Sequence, residues 1–351
     1  MYHLQKYRTN NDRHECPNCH KKHSFTWYVD DDGQPIDPTC GKCNHENSCG
    51  YHYPPREYFA DHPTDRKPMG DRPKQEAATP LPMPKPLCTL PFDYVIKSAS
   101  YNSSFVRFLH GLFGAGIVHY LMALYALGAT HEGDVIFWQI DKAGRVHGGK
   151  IVKFYPVGHP KFGHRDKEDE YVVTWVHPKL KRLGLLPDDW ELTQCLFGEH
   201  LLNLSFNKEK TIALVESEKS AMIGAAVFPQ YVWLATGGKH NLQYAKTKSL
   251  AGRKVIMFPD TDTKGETFKL WQTKATEIAK FCKVTVSNRL EREATPEQKE
   301  KGIDIADWLV DEIQSGALAV ELTNEMQTVI MREQHPIINT LIQELKLKPD
   351  P

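Results

Sequence analysis

The chain has 351 residues, with 44 Lys and Arg against 44 Asp and Glu, so its formal net charge is zero at pH 7 when the 17 histidines are neutral. The length suits two or three domains of about 150 residues. With 40% apolar and 25% charged residues, the composition is that of a folded globular protein and excludes a disordered one. A balanced charge also excludes a protein that coats nucleic acid through overall basicity, so contacts with phosphates must come from local patches.

The sequence gives no sign of a membrane segment or a secretory leader. The longest apolar stretch, residues 117–129, has 13 residues and includes His119, which is too short to cross a bilayer. The first residues lack the apolar run of a secretory signal. We therefore expect a cytoplasmic protein without a membrane partner.

Five of the eight cysteines lie within the first 49 residues, where aliphatic side chains are scarce. Two CxxC motifs, at residues 16–19 and 40–43, are followed by Cys49. Without a secretory signal, such a cluster favours a metal site over disulfides. Four thiolates around a tetrahedral Zn²⁺ would supply folding energy and leave no open position for water. We predict a structural zinc, the alternatives being free reduced cysteines or a site in which His20 or His23 replaces a thiol.

The zinc ligands are not all decided by this pattern. Cys16, Cys19 and Cys43 belong to either possible set, and the fourth ligand is Cys40 or Cys49. Spacing alone favours Cys40, because it completes the second CxxC motif.

Residues 61–91 hold eight prolines and few large apolar side chains, a composition typical of a semi-rigid linker. After the linker, Ser103-Ser104 can cap a helix whose apolar face lies on residues 105–112. A second helix is predicted over residues 117–127, ending at Gly128.

Two strands are predicted next, over residues 134–139 and 150–155. The polar, glycine-containing residues between them are expected to form the connection. Together with the preceding helices, these strands predict a mixed α+β segment.

The pattern then changes to short apolar runs that alternate with helices. This alternation indicates a parallel sheet covered on both faces, and thus an α/β fold. The predicted strands are residues 211–215, 231–235, 254–258 and 283–286. From about residue 320 the tail is predicted to be helical, with a break at Pro336.

Acidic residues follow two of these strands. Glu216 comes directly after the first, and Asp260 and Asp262 come after the third. Because ligands bind beyond the carboxyl ends of the strands in an open parallel sheet, we expect these carboxylates to converge there. A cation would relieve their repulsion, and oxygen ligands of this kind suit Mg²⁺. The alternative is that each acid only caps a helix.

Glu216 and the sequence Asp260-Thr261-Asp262-Thr263-Lys264-Gly265 resemble the Toprim domain of bacterial-type DNA primases, topoisomerases and some nucleases. The resemblance covers roughly residues 211–316. Lys219 and the Gly237-Gly238 turn match the primase branch, and residues 302–309 resemble the acidic segment that closes primase Toprim domains.

The resemblance extends to the whole chain. Residues 136–150 are similar to the strand pair that precedes Toprim in bacterial primases, and the cysteine cluster corresponds to their zinc ribbon. The sequence Cys49-Gly50-Tyr51-His52 is similar to a pattern in primase-like proteins of bacterial mobile elements, which favours Cys49 as the fourth zinc ligand. The implied order is a zinc ribbon at 1–60, a linker at 61–91, a mixed α+β primase-like segment at 92–208, a Toprim domain at 209–316 and C-terminal helices at 317–351.

The resemblance implies a primase-like nucleotidyltransferase in the replication of a mobile element, acting on single-stranded DNA and nucleoside triphosphates, with a helicase in trans as a further partner. Glu216, Asp260 and Asp262 would bind Mg²⁺ or Mn²⁺ and be catalytic, Glu216 as a ligand or general base. A Toprim nuclease and a non-catalytic nucleic-acid-binding protein are the alternatives. The residues expected to bind phosphate or nucleic acid are Lys219, Gly237, Gly238, Lys239, Arg145 and Lys150.

Overall fold

The computed structural model describes residues 2–7, 9, 12–45, 49–63, 88–169, 171–238 and 241–334. Most of the predicted linker, Lys239 and the predicted helix break at Pro336 lie outside these residues. The chain divides into two compact units, Met1–Pro84 and Lys85–Pro351, and the division falls within the predicted linker.

The first unit contains an antiparallel sheet of short strands in the order β1-β2-β3-β4, followed by one helix. Phe25 and the cysteines form its small core, in keeping with the scarcity of aliphatic residues. Gly41 lies so close to Phe25 that a Cβ atom would approach the ring to 2.5 Å, so this position requires glycine. The elements are β1 (His3–Leu4), β2 (Phe25–Val29), β3 (Gly41–Cys43), β4 (His52–Tyr53) and α1 (Pro55–Asp61).

The second unit begins with an antiparallel sheet in the order β5-β6-β7-β8 and its helices. The elements are α2 (Asp93–Ser98), α3 (Ser104–Tyr125), β5 (Gly128–Ala129), β6 (Val135–Ile140), β7 (Val146–Val152), β8 (Val173–Trp175) and α4 (Val176–Arg182).

Helix α3 spans the region for which two helices are predicted. Ser103 caps its start by accepting a hydrogen bond from the Val106 amide, and Gly114 interrupts it with a φ of 78°. Among the described residues, α3 is the one helix long and apolar enough to cross a bilayer. Phe105, Leu109 and other side chains of α3 are buried against the rest of the second unit, so the helix belongs to its core.

Strand β7 begins earlier than the predicted strand 150–155. Gly148 and Gly149 are predicted to lie in the connection, whereas the structure places both inside β7, opposite Gln139 and Trp138. A Cβ atom on Gly148 would lie 2.8 Å from Leu192, and one on Gly149 would lie 2.9 Å from Trp138. These glycines are therefore explained by close packing across the sheet and not by a turn.

The predicted parallel sheet is confirmed, with strand order β10-β9-β11-β12 and all neighbours parallel. Val215 pairs with Ala235 and Leu214 pairs with Met257, so these three strands end at the same edge. The elements are β9 (Ile212–Val215), α5 (Glu218–Val227), β10 (Val232–Ala235), α6 (Tyr244–Thr247), β11 (Lys254–Met257), α7 (Glu266–Ile278), β12 (Lys283–Val286), α8 (Arg289–Glu293), α9 (Pro296–Lys301), α10 (Ile305–Gln314) and α11 (Asn324–Gln334).

The two sheets of the second unit share one hydrophobic core, which includes side chains of α3, β6 and the parallel sheet. Residues of the second unit that precede the parallel sheet cover its edge strand, β10. The Tyr125 hydroxyl donates to the Trp233 carbonyl at 2.9 Å, and Phe197 pairs with Ala235 as an antiparallel bridge. This packing positions residues upstream of the parallel sheet beside the ends of its strands.

We predict that Gly224→Ala destabilises the second unit, because the added Cβ would lie 2.4 Å from the buried Trp233 ring. Overpacking of this kind costs about 1–3 kcal/mol in the free energy of unfolding. The matched control is Gly111→Ala in α3, where nothing lies within 4 Å of the added Cβ. That change should stabilise the helix by about 0.5–1 kcal/mol. Urea unfolding measures both, and equal effects of the two variants would contradict the prediction.

Candidate functional site

Four cysteines of the first unit form a compact group of thiols. The Sγ atoms of Cys16, Cys19, Cys43 and Cys49 all lie within 4.8 Å of one another. The Cys16–Cys49 and Cys19–Cys43 distances are 3.7 and 3.9 Å. A tetrahedral zinc with Zn–S bonds of about 2.3 Å requires sulfur–sulfur distances of about 3.8 Å, so the geometry fits Zn²⁺.

Cys49 completes this group, and Cys40 does not belong to it. Cys40 lies in the bend that directly precedes β3, whereas Cys43 is the last residue of that strand. The Asn18 side-chain amide donates to the Cys49 sulfur at 3.4 Å. That hydrogen bond, with the Tyr51 amide, lowers the pKa of Cys49 to about 6 and favours the metal-binding thiolate. Burial raises the pKa of Cys40 to about 11.

The second unit has a cleft of about 600 Å³ at the carboxyl ends of β9 and β11. Acidic and basic side chains from separate parts of the chain line it. Glu216 and Ser217 follow β9, Asp260 follows β11, and Asp304 and Asp307 begin α10. The other lining residues are His164, Arg165, Lys167, Lys219, Gln298, Lys301, Gly302, Ile303 and Asp311.

Asp260 is a buried carboxylate whose charged form is strongly disfavoured. Its pKa is raised well above the usual value, first by loss of hydration and then by the negative charges of Glu216, Asp304 and Asp307. The convergence expected from the strand order therefore occurs for Glu216 and Asp260. Their environment provides oxygen ligands and excess negative charge, which fits a hard divalent cation such as Mg²⁺ or Mn²⁺.

The carboxylates of the cleft are spread more widely than the thiols of the first unit. Among the described residues, the cysteines are the set of three or more possible metal ligands whose ligand atoms all lie within 4.8 Å of one another.

Asp262 does not line the cleft. Its carboxylate accepts hydrogen bonds from the amides of Lys264, Glu266 and Thr267 at 2.9, 3.0 and 2.6 Å and so caps α7. Partial burial opposes ionisation, but these donors hold the pKa of Asp262 well below its usual range. The capping alternative considered for the acids therefore describes the observed contacts of Asp262.

Asp304 and Asp307 are cleft residues that the sequence analysis does not single out, although it notes the acidic segment that contains them. They form a capping box at the start of α10, in which each side chain accepts from the other's backbone amide. Asp304 also accepts from the Ser220 hydroxyl at 2.7 Å. Burial would raise its pKa, but Lys219 and Ser220 hold it below the usual value. The spacing of the two acids at an N-cap and N3 is the signal that identifies this motif.

Three cations of the cleft, Arg165, Lys167 and Lys301, are not predicted from the sequence either. Arg165 and Lys167 lie in the long connection between β7 and β8, which folds back through a bridge between Phe154 and Arg165. Lys301 ends α9. Because these residues reach the cleft only through tertiary packing, no local sequence pattern indicates them.

The predicted phosphate-binding residues occupy different environments. Lys219 lines the cleft and forms an ion pair with Asp307. Gly237, with a φ of 83°, and Gly238 lie in the loop after β10, where the Gly237 amide donates to the Glu216 carbonyl at 2.9 Å. Lys239 lies outside the described residues.

Arg145 and Lys150 do not line the cleft. Arg145 pairs with the buried Asp141, with 2.7 Å between its NH2 nitrogen and Oδ2. His147 contacts the same carboxylate, with 3.0 Å between Nε2 and Oδ2. Lys150 is buried, and its ammonium contacts Glu218 and the Gly237 carbonyl.

Two family matches accompany this geometry. Residues 1–64 match the zinc beta-ribbon finger family, and residues 103–261 match a domain of unknown function (DUF6371). No curated protein matches the chain. The cysteine geometry and the first match together support a zinc ribbon that binds Zn²⁺.

Several solved structures of DNA primases are similar to the chain at low identity. The primase fragment of the bacteriophage T7 primase-helicase protein is 15% identical, with 92% of this chain and 98% of that chain covered and a TM-score of 0.34. The DnaG primase catalytic domain bound to ssDNA is 15% identical, with 70% and 87% covered and a TM-score of 0.36. The E. coli primase catalytic core is 16% identical, with 70% and 89% covered and a TM-score of 0.36. Similarity at this level does not establish the activity of this chain.

We predict that Cys49→Ser lowers the zinc content and melting temperature of the full chain, whereas Cys40→Ser leaves the zinc content near one per chain. The reason is that Cys49 lies in the thiol group and Cys40 lies outside it. Metal analysis of the purified proteins and thermal melting with and without a chelator measure the difference. Loss of zinc from the Cys40 variant alone would contradict the assignment.

We predict that Asp141→Asn destabilises the second unit at neutral pH. The difference in free energy of unfolding between wild type and variant should become smaller in acid. Burial opposes ionisation of Asp141, but hydrogen bonds from His147 and Arg145 lower its pKa to about 2. Because this folded-state pKa lies below the usual value of about 4, the carboxylate stabilises the fold above about pH 4 and loses this effect as the pH falls toward 2.

Urea unfolding of the wild type and of Asp141→Asn between pH 7 and pH 3 tests this pH dependence of stability. Asp189→Asn, at an exposed position, is the control. A deficit of Asp141→Asn that stays constant, or widens, below pH 4 would contradict the prediction.

Proposed function

We propose that the chain is a primase-like protein whose second unit carries out divalent-metal-dependent nucleotidyl transfer on single-stranded DNA. The observation that carries this proposal is that acidic and basic side chains line the same cleft. Glu216 and Asp260 lie at the strand ends, with Asp304 and Asp307 beside them, and Arg165, Lys167 and Lys301 line the same space. A site that binds a metal together with a polyphosphate needs this combination of acids and cations.

Glu216 and Asp260 would hold Mg²⁺ or Mn²⁺, with Asp304 and Asp307 close enough to act on Asp260 electrostatically. A bound divalent ion would stabilise negative charge that develops on the transferred phosphoryl group. Asp262, predicted from the sequence as a third ligand, would fix the start of α7 through its backbone hydrogen bonds.

The cations of the cleft would bind the phosphates of a nucleoside triphosphate or of the template. Arg165 suits this role because a guanidinium can make two parallel hydrogen bonds to phosphate oxygens. Lys219 would act less directly, since its ammonium already pairs with Asp307. Glu216, when it is not a ligand, would accept the proton of the attacking 3′-hydroxyl.

The first unit would bind single-stranded DNA through aromatic and basic side chains. Trp27 stacks on His14 with 3.2 Å between ring centroids, and the Arg13 guanidinium lies 4.3 Å from the centre of the Tyr7 ring. Stacking surfaces combined with cations are the usual means by which proteins bind unpaired bases. The proposal has three further parts, which rest on the resemblance of the sequence to bacterial primases. They are a role in replication of a mobile element, a helicase partner and a cytoplasmic location.

We predict that Asp260→Asn reduces primer synthesis at least ~100-fold, because it removes a charge where the metal would stabilise the transition state. Asp262→Asn is the matched variant two residues away. It should lose much less activity, since the asparagine oxygen can still accept from the Lys264 and Glu266 amides, although the bond from Thr267 is lost. The assay uses the full chain, single-stranded DNA, labelled nucleotides and Mg²⁺, with melting temperatures measured for each protein.

The outcomes distinguish the candidate functions. Short new products from the wild type alone would support nucleotidyl transfer at Asp260. If the template is shortened instead, and only when Asp260 is present, the proposed activity is a nuclease and not a nucleotidyltransferase. DNA binding without either reaction, in Mg²⁺ or Mn²⁺, would contradict a catalytic role and favour a non-catalytic nucleic-acid-binding protein.

A further inference from the structure

Lys150 is a charged residue buried at the centre of the second unit. Its side chain is 6% exposed and that of its partner Glu218 is 1% exposed. The ammonium donates to both carboxylate oxygens of Glu218, at 3.1 and 3.0 Å, and to the Gly237 carbonyl at 3.1 Å. The ammonium therefore has three protein acceptors within hydrogen-bond distance. Lys150 does not line the cleft.

These contacts form a closed ring of Lys150, Gly237, Glu216 and Glu218. Gly237 accepts from Lys150 through its carbonyl and donates through its amide to the Glu216 carbonyl at 2.9 Å. Glu218, the other partner of Lys150, is two residues after Glu216 along the chain. Lys150 thus holds the loop after β9 and the loop after β10 at once, from a strand of the other sheet.

The ring also explains why residue 237 is glycine. Its φ of 83° disfavours any residue with a side chain, and a Cβ atom would lie 3.3 Å from the Glu218 carboxylate. Close approach at this point keeps the Gly237 carbonyl within reach of Lys150. A buried ion pair contributes little net stability compared with apolar residues of similar volume, so stability alone does not account for this arrangement.

We propose that Lys150 is a positioning residue that fixes the Glu216 backbone at the metal-binding cleft through Glu218 and Gly237, and not a ligand of phosphate. The inference rests on the proposed function, because it assumes that Glu216 contacts a divalent cation. Partners beyond the direct ligands commonly change metal affinity by roughly 10- to 100-fold, and Lys150 would act at this level.

The test is a double variant, Lys150→Met/Glu218→Met, which removes both charges and leaves neither unpaired. The matched control is Lys210→Met/Glu325→Met, which removes an ion pair at α11 without touching the ring. For the wild type and both variants, Mn²⁺ binding to the full zinc-loaded chain is measured by electron paramagnetic resonance. Melting temperatures and hydrogen exchange of peptides covering residues 214–220 and 234–238 are measured alongside.

We expect the Lys150/Glu218 variant to bind Mn²⁺ roughly 10- to 100-fold more weakly than the control variant. Its peptides around Glu216 and Gly237 should exchange faster, with a change in melting temperature no larger than that of the control. Should the double variant not fold, Gly237→Ala perturbs the same ring without unpairing a charge. Because the φ of 83° is strained for alanine and lowers the melting temperature by itself, this variant is judged by Mn²⁺ binding and hydrogen exchange alone.

The failures of the two proposals are distinguishable. If the wild type binds Mn²⁺ and the Lys150/Glu218 variant binds it as tightly as the control does, the positioning role is overturned and the proposed function stands. If the wild type binds no Mn²⁺ at millimolar concentration, the metal-dependent function is overturned, and the positioning role with it.

Discussion

Repulsion between carboxylates that share one cleft is the constraint on which the candidate site of the second unit depends. Glu216, Asp304 and Asp307 all act against the ionisation of Asp260, and loss of hydration adds to their effect. A fold that brings these groups together must offset the repulsion with protons, protein cations or a bound ion. The cations near the cleft and the capped start of α10 are the means that the structure provides.

Residues from several separate elements compensate the negative charges of the cleft. Lys219 pairs with Asp307 from within α5, and the Asp304 side chain is hydrogen-bonded at the start of its own helix. Arg165 reaches the cleft from the connection between β7 and β8. The charged form of Asp260 remains disfavoured by burial and by its acidic neighbours. A cation that binds next to Asp260 would therefore be stabilised electrostatically.

The two units are stabilised by different kinds of interaction. The first has a core of little more than Phe25 and the cysteines, so four converging thiolates and a metal would take the place of apolar burial. The second has a continuous apolar core that extends from α3 through the parallel sheet. Because this core joins both sheets, charged residues such as Lys150 can connect the upstream segment with the loops that end the parallel strands.

The sequence by itself determined the elements whose signals are local. Short apolar runs predicted each strand of the parallel sheet within about one residue. The signal is clearest for β9 and β10, because strands buried on both faces read as continuous apolar segments. The same order placed Glu216 and Asp260 at the strand ends. The cysteine cluster predicted a metal site, although spacing alone favoured Cys40 over Cys49.

Only the tertiary structure decided which residues come together. The folded first unit brings Cys49 and not Cys40 to the other three thiols, and Gly148 and Gly149 lie inside a strand that packs closely against Leu192 and Trp138. Asp262 makes its hydrogen bonds with α7, and Arg165, Lys167 and Lys301 reach the cleft from distant segments. These contacts depend on the approach of elements far apart in the chain, and local propensity and spacing carry no information about that approach.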